Sequence, residues 1–180
     1  FDESRRSLEA RVTTVESEDE KRMVTSLIGA CNVRCEYCEA RASLEQARVS
    51  EKTGDHEMGA EKYGEAIDTL ESVVGKVESE QDRRELQFII GLSRAWQRMA
   101  QAEAETAPAL YSEASRLFEE AKETSPSEKA KLLTLGHSRF CRALEAGARF
   151  ADTRDTALHA AAKQDLESAM DYYLKADFGT

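Results

Sequence analysis

Proline is almost missing from this 180-residue chain: it occurs twice, glycine nine times, and runs of β-branched residues hardly at all. A strand-rich fold depends on frequent turns and on Val-, Ile- and Thr-rich segments, so that scarcity excludes it. No apolar stretch approaches the ~20 residues that a bilayer-crossing helix needs. No basic start followed by an apolar run resembles a secretory leader, and we expect a cytoplasmic protein. The histidines, His56, His137 and His159, are dispersed, and neither H-E-x-x-H nor a glycine-rich phosphate loop is present. The usual constellations for metal-assisted hydrolysis and phosphate binding are therefore missing. Lys and Arg number 25 against 35 Asp and Glu, a formal net charge of −10. Nucleic-acid binding needs a broad basic surface that this balance does not supply. We expect no catalytic residue, no cofactor, no metal and no membrane span.

What the chain does have is apolar periodicity of three and four residues, the mark of amphipathic helices. Turn and cap residues cut it into segments. Ser125-Pro126-Ser127-Glu128 predicts a helix start with Ser125 as cap and Pro126 in the first turn, where a missing amide proton costs nothing. Pro108 marks a second start, and Thr53-Gly54-Asp55 and Asp152-Thr153-Arg154-Asp155 mark two breaks. The reading is a short or frayed N-terminal helix within residues 1–17, then a domain over 18–178 made of three helix pairs. Their helices are expected near 18–52 with 56–77, 80–104 with 107–124, and 126–150 with 155–177. The first would be unusually long, with Gly29 or Gly54 marking where it bends or ends. Residue 1 is Phe, and the sequence stops at Phe178-Gly179-Thr180 just after a helical pattern, which leaves a longer parent stack open.

The pairs resemble one another. Leu27-Ile28-Gly29, Ile89-Ile90-Gly91 and Thr134-Leu135-Gly136 recur in the first helices. Tyr63, Ala66 and Leu70 fall in register with Tyr111, Ala114 and Phe118, and then with Leu166, Ala169 and Tyr173, in the second helices. A helix pair that repeats has an apolar face that only its neighbours can cover, so the expected fold is all-α, with six to seven helices whose antiparallel pairs stack. The Leu/Ile-Gly pairs and the spacing Tyr111-x-x-Ala114-x-x-Leu117-Phe118-x-x-Ala121, followed by Pro126, resemble the tetratricopeptide repeat. With its longer helices and the stretch Ala169-Met170-Asp171-Tyr172-Tyr173-Leu174-Lys175-Ala176, the chain is similar to the repeat of soluble NSF attachment proteins. The resemblance covers about residues 20–178 and implies a right-handed solenoid that binds other proteins. The repeated glycines are then expected at points of close helix approach.

Cys31-x3-Cys35-x-Tyr37-Cys38 is the spacing by which radical S-adenosylmethionine enzymes hold three irons of a four-iron cluster. Those enzymes present it on an irregular loop after a barrel strand. Here Val24, Leu27, Ile28, Cys31, Cys35, Cys38 and Ala42 recur at three- and four-residue steps, so the cysteines are expected on the apolar stripe of a continuous helix as small buried hydrophobes. Zinc wants four ligands, and His56 lies across a turn with no second pair beside it.

Charge is sorted by helix. Basic residues prevail in the first helices of the second and third pairs, and Glu and Asp in the second helices. In the repeat this chain resembles, first helices line a concave groove. Arg94, Arg98, Arg139, Arg142 and Arg149 are then expected to form a basic trough for an acidic or helical protein or peptide. The competing expectation is that these arginines pair with acidic neighbouring helices and face water. The leading functional reading is a non-enzymatic protein–protein interaction scaffold. The rivals are the iron–sulfur enzyme just described and a structural segment that self-associates through the last helix, around Tyr172, Tyr173 and Phe178.

Overall fold

A computed structural model describes residues 2–178. Among them are seven α-helices and no strand: α1 (Asp2–Val12), α2 (Glu18–Thr53), α3 (His56–Val74), α4 (Glu80–Glu105), α5 (Pro108–Ala121, continued by a 3₁₀ turn at Lys122–Thr124), α6 (Glu128–Thr153) and α7 (Thr156–Phe178). The fold is all-α. No helix in the described residues is long and apolar enough to cross a membrane. The expected continuation past Thr180 lies outside the described residues.

The helix ends follow from local chemistry. α2 runs through Gly29 without a break and stops at Gly54, whose φ of 79° turns the chain left-handed and lets its amide reach the carbonyl of Glu51. Asp55 then caps α3 by accepting from the Met58 amide, and Ser79 caps α4 by accepting from that of Asp82. Pro108 occupies the first turn of α5. The start of α6 differs from expectation. Its cap is Ser127, which accepts from the Ala130 amide, so Pro126 precedes the helix and Ser125 is not the cap. An extended Ser127, with φ of −156° and ψ of 159°, lets its hydroxyl swing over the first free amides.

The principal packing runs between helices consecutive in sequence, and each pair is antiparallel. Glu36 meets Lys76 while Ser43 meets Glu65 across α2 and α3. Ser112 meets Glu145 while Glu119 meets Ser138 across α5 and α6. Lys129 meets Asp177 while Arg139 meets Asp165 across α6 and α7. Two clusters fill the interior. Ala40, Leu44, Tyr63, Ala66, Leu70, Leu86 and Ile90 join α2, α3 and α4. Ala95, Ala114, Phe118 and Cys141 join α4, α5 and α6, with Trp96 edge-on to Phe118 at 5.2 Å. Small alanines let the helix axes approach, and the aromatics fill what is left. Phe118, fully enclosed, contributes on the order of 2–3 kcal/mol of burial.

Tyr63, Ala66 and Leu70 are buried, as are Tyr111, Ala114 and Phe118, whereas in the third set Leu166 is exposed, Ala169 buried and Tyr173 half-buried. The reason is position: α7 packs on α6 and has no further helix on its other side among the described residues.

The repeated glycines are likewise unequal. A methyl group added at Gly136 would lie 2.5 Å from Cε1 of Tyr173, and one at Gly91 would lie 3.2 Å from Cβ of Ala121. At Gly29 it would meet nothing within 4 Å, so the expectation of close approach fails there: that face of α2 is open. Gly29→Ala should therefore stabilise the protein by about 0.5–1 kcal/mol through helix propensity alone. Gly136→Ala should destabilise it by about 1–3 kcal/mol, because the Tyr173 ring must move. Urea unfolding of the two variants checks both signs; equal midpoints would refute the difference in packing.

Candidate functional site

The expected binding residues are all engaged in ion pairs. Arg94 reaches back to Glu71 of α3 at 2.5 Å. Arg98 reaches forward to Glu113 of α5 at 3.1 Å and donates to Gln101. Arg139 and Arg142 both close on the carboxylate of Asp165 in α7, at 3.2 and 3.5 Å. Arg149 pairs within its own helix with Glu145 at 3.5 Å. The five arginines therefore engage four carboxylates on different helices, Arg139 and Arg142 sharing one. Most are surface pairs, each worth ~0–1 kcal/mol. The Asp165 fork differs: its side chain is 12% exposed and ties α6 to α7, and in the sequence it is only one more acid on an acidic helix.

The cysteines also depart from expectation. Cys31 and Cys35 are half-buried and Cys38 is exposed, while the enclosed thiol is Cys141 on α6. Helical phase explains this. Ala40, Leu44 and Ala47 pack on α3 from the opposite side of α2, so the cysteine face turns away from the stack. On that face Val24 is buried, whereas Cys38 is exposed. Cys31, Cys35 and Cys38 climb one uninterrupted helix over about 10 Å. That is a row, whereas three corners of an iron–sulfur cubane need a triangle, so these residues do not fit the cluster. No group of three or more His, Cys, Asp or Glu among the described residues comes together as a metal site.

A buried polar seam lies between α4 and α7. His137 stacks edge-on to Trp96 at 4.7 Å and lies 5.4 Å from Phe118, and its Nδ1 is 2.8 Å from the Tyr173 hydroxyl. Burial pushes His137 down to about 4 and Tyr173 up to about 12. The imidazole is neutral at pH 7, and in the tautomer with its proton on Nε2 the tyrosine donates to Nδ1. Burial, then the negative charge of Glu103, holds the Cys141 thiol up at about 12, beside Met99 Sδ at 4.0 Å. A thiol so held is no nucleophile at neutral pH. The seam is packing chemistry.

A concave feature lies elsewhere, between the first halves of α2 and α4. A cleft of about 1000 Å³ opens there over the end of α3. One wall is the α2 stripe of Ser26, Gly29, Ala30, Val33 and Tyr37, and the other is the α4 stripe of Asp82, Glu85, Leu86 and Ile89. Val73, Lys76 and Val77 line it from α3 and the turn that follows. Val33, Tyr37, Val77 and Ile89 also pack on the core behind it, so its floor is apolar and firmly backed. Four carboxylates, Glu36, Glu78, Asp82 and Glu85, face two cations, Arg34 and Lys76, around it. Lys76 is held by both oxygens of Glu36, at 2.6 and 2.5 Å. Glu78, Asp82 and Glu85 make no ion pair among the described residues. The result is an apolar trough with an acidic rim. Sequence reading missed it, although the open Gly29-Ala30 step and the Glu78 to Glu85 acids were there to be seen.

Comparison with known proteins found no matching family model, no matching curated protein and no matching solved structure.

The seam makes a prediction about pH. The folded value of His137 lies below its ordinary 6.5, so its contribution is present above pH 6.5 and is lost as the pH falls towards 4. Acidification across that window should cost the parent on the order of 3 kcal/mol more than His137→Gln. Denaturant unfolding at several pH values reads the difference, and an NMR titration of the His137 ring should give a midpoint near 4. Parallel pH profiles, or a midpoint near 6.5, would contradict this burial.

Proposed function

We propose that the protein is a non-enzymatic interaction scaffold that holds a helical segment of a partner protein in the cleft between α2 and α4. The helix pairs, on this reading, continue one another as a right-handed solenoid similar to tetratricopeptide and soluble NSF attachment protein repeats. The antiparallel neighbour packing and the matched Tyr63 and Tyr111 positions support that arrangement.

The observation that carries the proposal is the cleft itself, an apolar floor between two helix stripes with three carboxylates on its rim that make no ion pair among the described residues. A groove between helices suits an amphipathic helix, whose apolar face meets the floor through residues at three- and four-residue steps. The rim selects the charge of the occupant. Lys or Arg flanking that apolar face would meet Glu78, Asp82 and Glu85, and complementary charge raises the encounter rate and rejects acidic competitors. The partner is therefore a basic helical segment, in place of the acidic one that the arginine stripes suggested. No step here requires catalysis.

A fluorescent model helix with a leucine face flanked by lysines tests this, with its glutamate counterpart as control. The lysine peptide should bind with Kd in the ~1–100 µM range and weaken as salt rises. Asp82→Lys with Glu85→Lys should weaken it by about tenfold or more. Gly29→Trp should do the same by filling the trough, and since the Gly29 site is open it should leave the fold unchanged by circular dichroism. Tighter binding of the glutamate peptide, lost on Arg98→Glu with Arg142→Glu, would return the site to the arginines. Indifference to all of these changes would overturn the scaffold reading of the cleft.

A further inference from the structure

α7 is the last described helix, and its one extensive packing partner is α6. Its buried side carries Asp165, Ala169 and Ala176. Its other side carries Leu166, Met170, Leu174 and Phe178, which are 42%, 63%, 54% and 83% exposed. Four-residue steps place them along one continuous stripe about 18 Å long. Such a row on a charged, water-facing helix is the mark of an interaction surface.

We propose that a second copy of this chain covers the stripe, with the two α7 helices antiparallel about a two-fold axis at Met170. In that arrangement a residue a given number of places before Met170 faces the residue the same number of places after it on the other copy. Leu166 then faces Leu174, and Met170 faces itself. Ala162 faces Phe178, a small residue opposite the most exposed large one. Lys163 faces Asp177, each two turns from the axis, so the symmetry makes the ion pair twice. A parallel pairing would set Lys163 beside Lys163 and Asp177 beside Asp177. Charge complementarity therefore selects both the occupant and its direction, because an isologous contact must be complementary to itself. The present partners of the two charges do not compete strongly. Lys163 lies 3.8 Å from Glu167 and Asp177 lies 3.7 Å from Lys129, both exposed pairs of the kind worth ~0–1 kcal/mol.

Sedimentation equilibrium of the chain in reducing buffer, which prevents oxidation of the exposed Cys38, tests the proposal. The expected result is a reversible monomer–dimer equilibrium with Kd of about 1–100 µM. Met170→Glu changes an exposed side chain and should leave a monomer of unchanged helicity. Lys163→Asp should raise Kd about tenfold, and Lys163→Asp with Asp177→Lys should restore it to within about threefold of the parent. A parent that stays monomeric at ~1 mM, a dimer that tolerates Met170→Glu, or a charge swap that fails to rescue would each overturn it. A monomer that binds neutral lipid vesicles through this stripe would overturn it equally and assign the face to a membrane surface.

Discussion

Each helix in this protein finds its main packing partners immediately before and after it in sequence, and the rest of the structure follows from that constraint. A helix with two such partners can bury apolar residues on two sides, as α4, α5 and α6 do around Trp96, Phe118 and Cys141. Phe118 and Ala114 are fully enclosed because α4 and α6 close on α5 from either side. Among the described residues α7 has one extensive partner, and α2, between α1 and α3, is covered unevenly along its length. α7 keeps Leu166, Met170, Leu174 and Phe178 in water, and the first half of α2 keeps an open face around Gly29. The open apolar surfaces of the described residues are thus places that nearest-neighbour packing leaves uncovered.

The same constraint organises charge. A helix that packs on its neighbours sets its polar flanks beside theirs, and basic flanks on α4 and α6 meet acidic ones on α3, α5 and α7. Arg94, Arg98, Arg139 and Arg142 are engaged in this way. These pairs link neighbouring layers, each exposed one worth ~0–1 kcal/mol, and the sheltered Asp165 carboxylate is met by two guanidinium groups. Three carboxylates without such partners among the described residues, Glu78, Asp82 and Glu85, line the gap where α2 and α4 diverge, because α3 ends at Val74 and fills only its base. Geometry at that point produces both the apolar floor and the acidic rim.

Much of the fold was legible in the sequence. Three- and four-residue periodicity placed the helices, and Gly54, Asp55 and Pro108 marked boundaries through chemistry that acts within a turn. The match of Tyr63, Ala66 and Leu70 to Tyr111, Ala114 and Phe118 identified core positions, since equivalent neighbours impose equivalent residues. The failures have one origin. Periodicity says which residues share a face, but which helix covers that face is a long-range fact. Cys31, Cys35 and Cys38 do share a face, yet it lies opposite α3 and the stack leaves it half open. Gly29 matches Gly91 and Gly136 in its local sequence but lacks their close neighbour. The arginines do repeat as stripes, and the positions of Glu71, Glu113 and Asp165 across the helix gaps, which set their ion pairs, are long-range facts of the same kind. The candidate cleft was invisible for the same reason, being made by the divergence of two helices about sixty residues apart.

Native-state amide hydrogen exchange tests nearest-neighbour packing most directly, because it reads local opening free energy along the chain. Protection should peak at Ser93–Ala102, Tyr111–Phe118 and Thr134–Cys141, the segments closed in from two sides. It should fall by several-fold or more in α1, in the first half of α2 and on the outer end of α7. Uniform protection from α1 to α7, or a maximum in α1, would contradict the account, since it would mean that the ends are held by interactions as extensive as those at the centre.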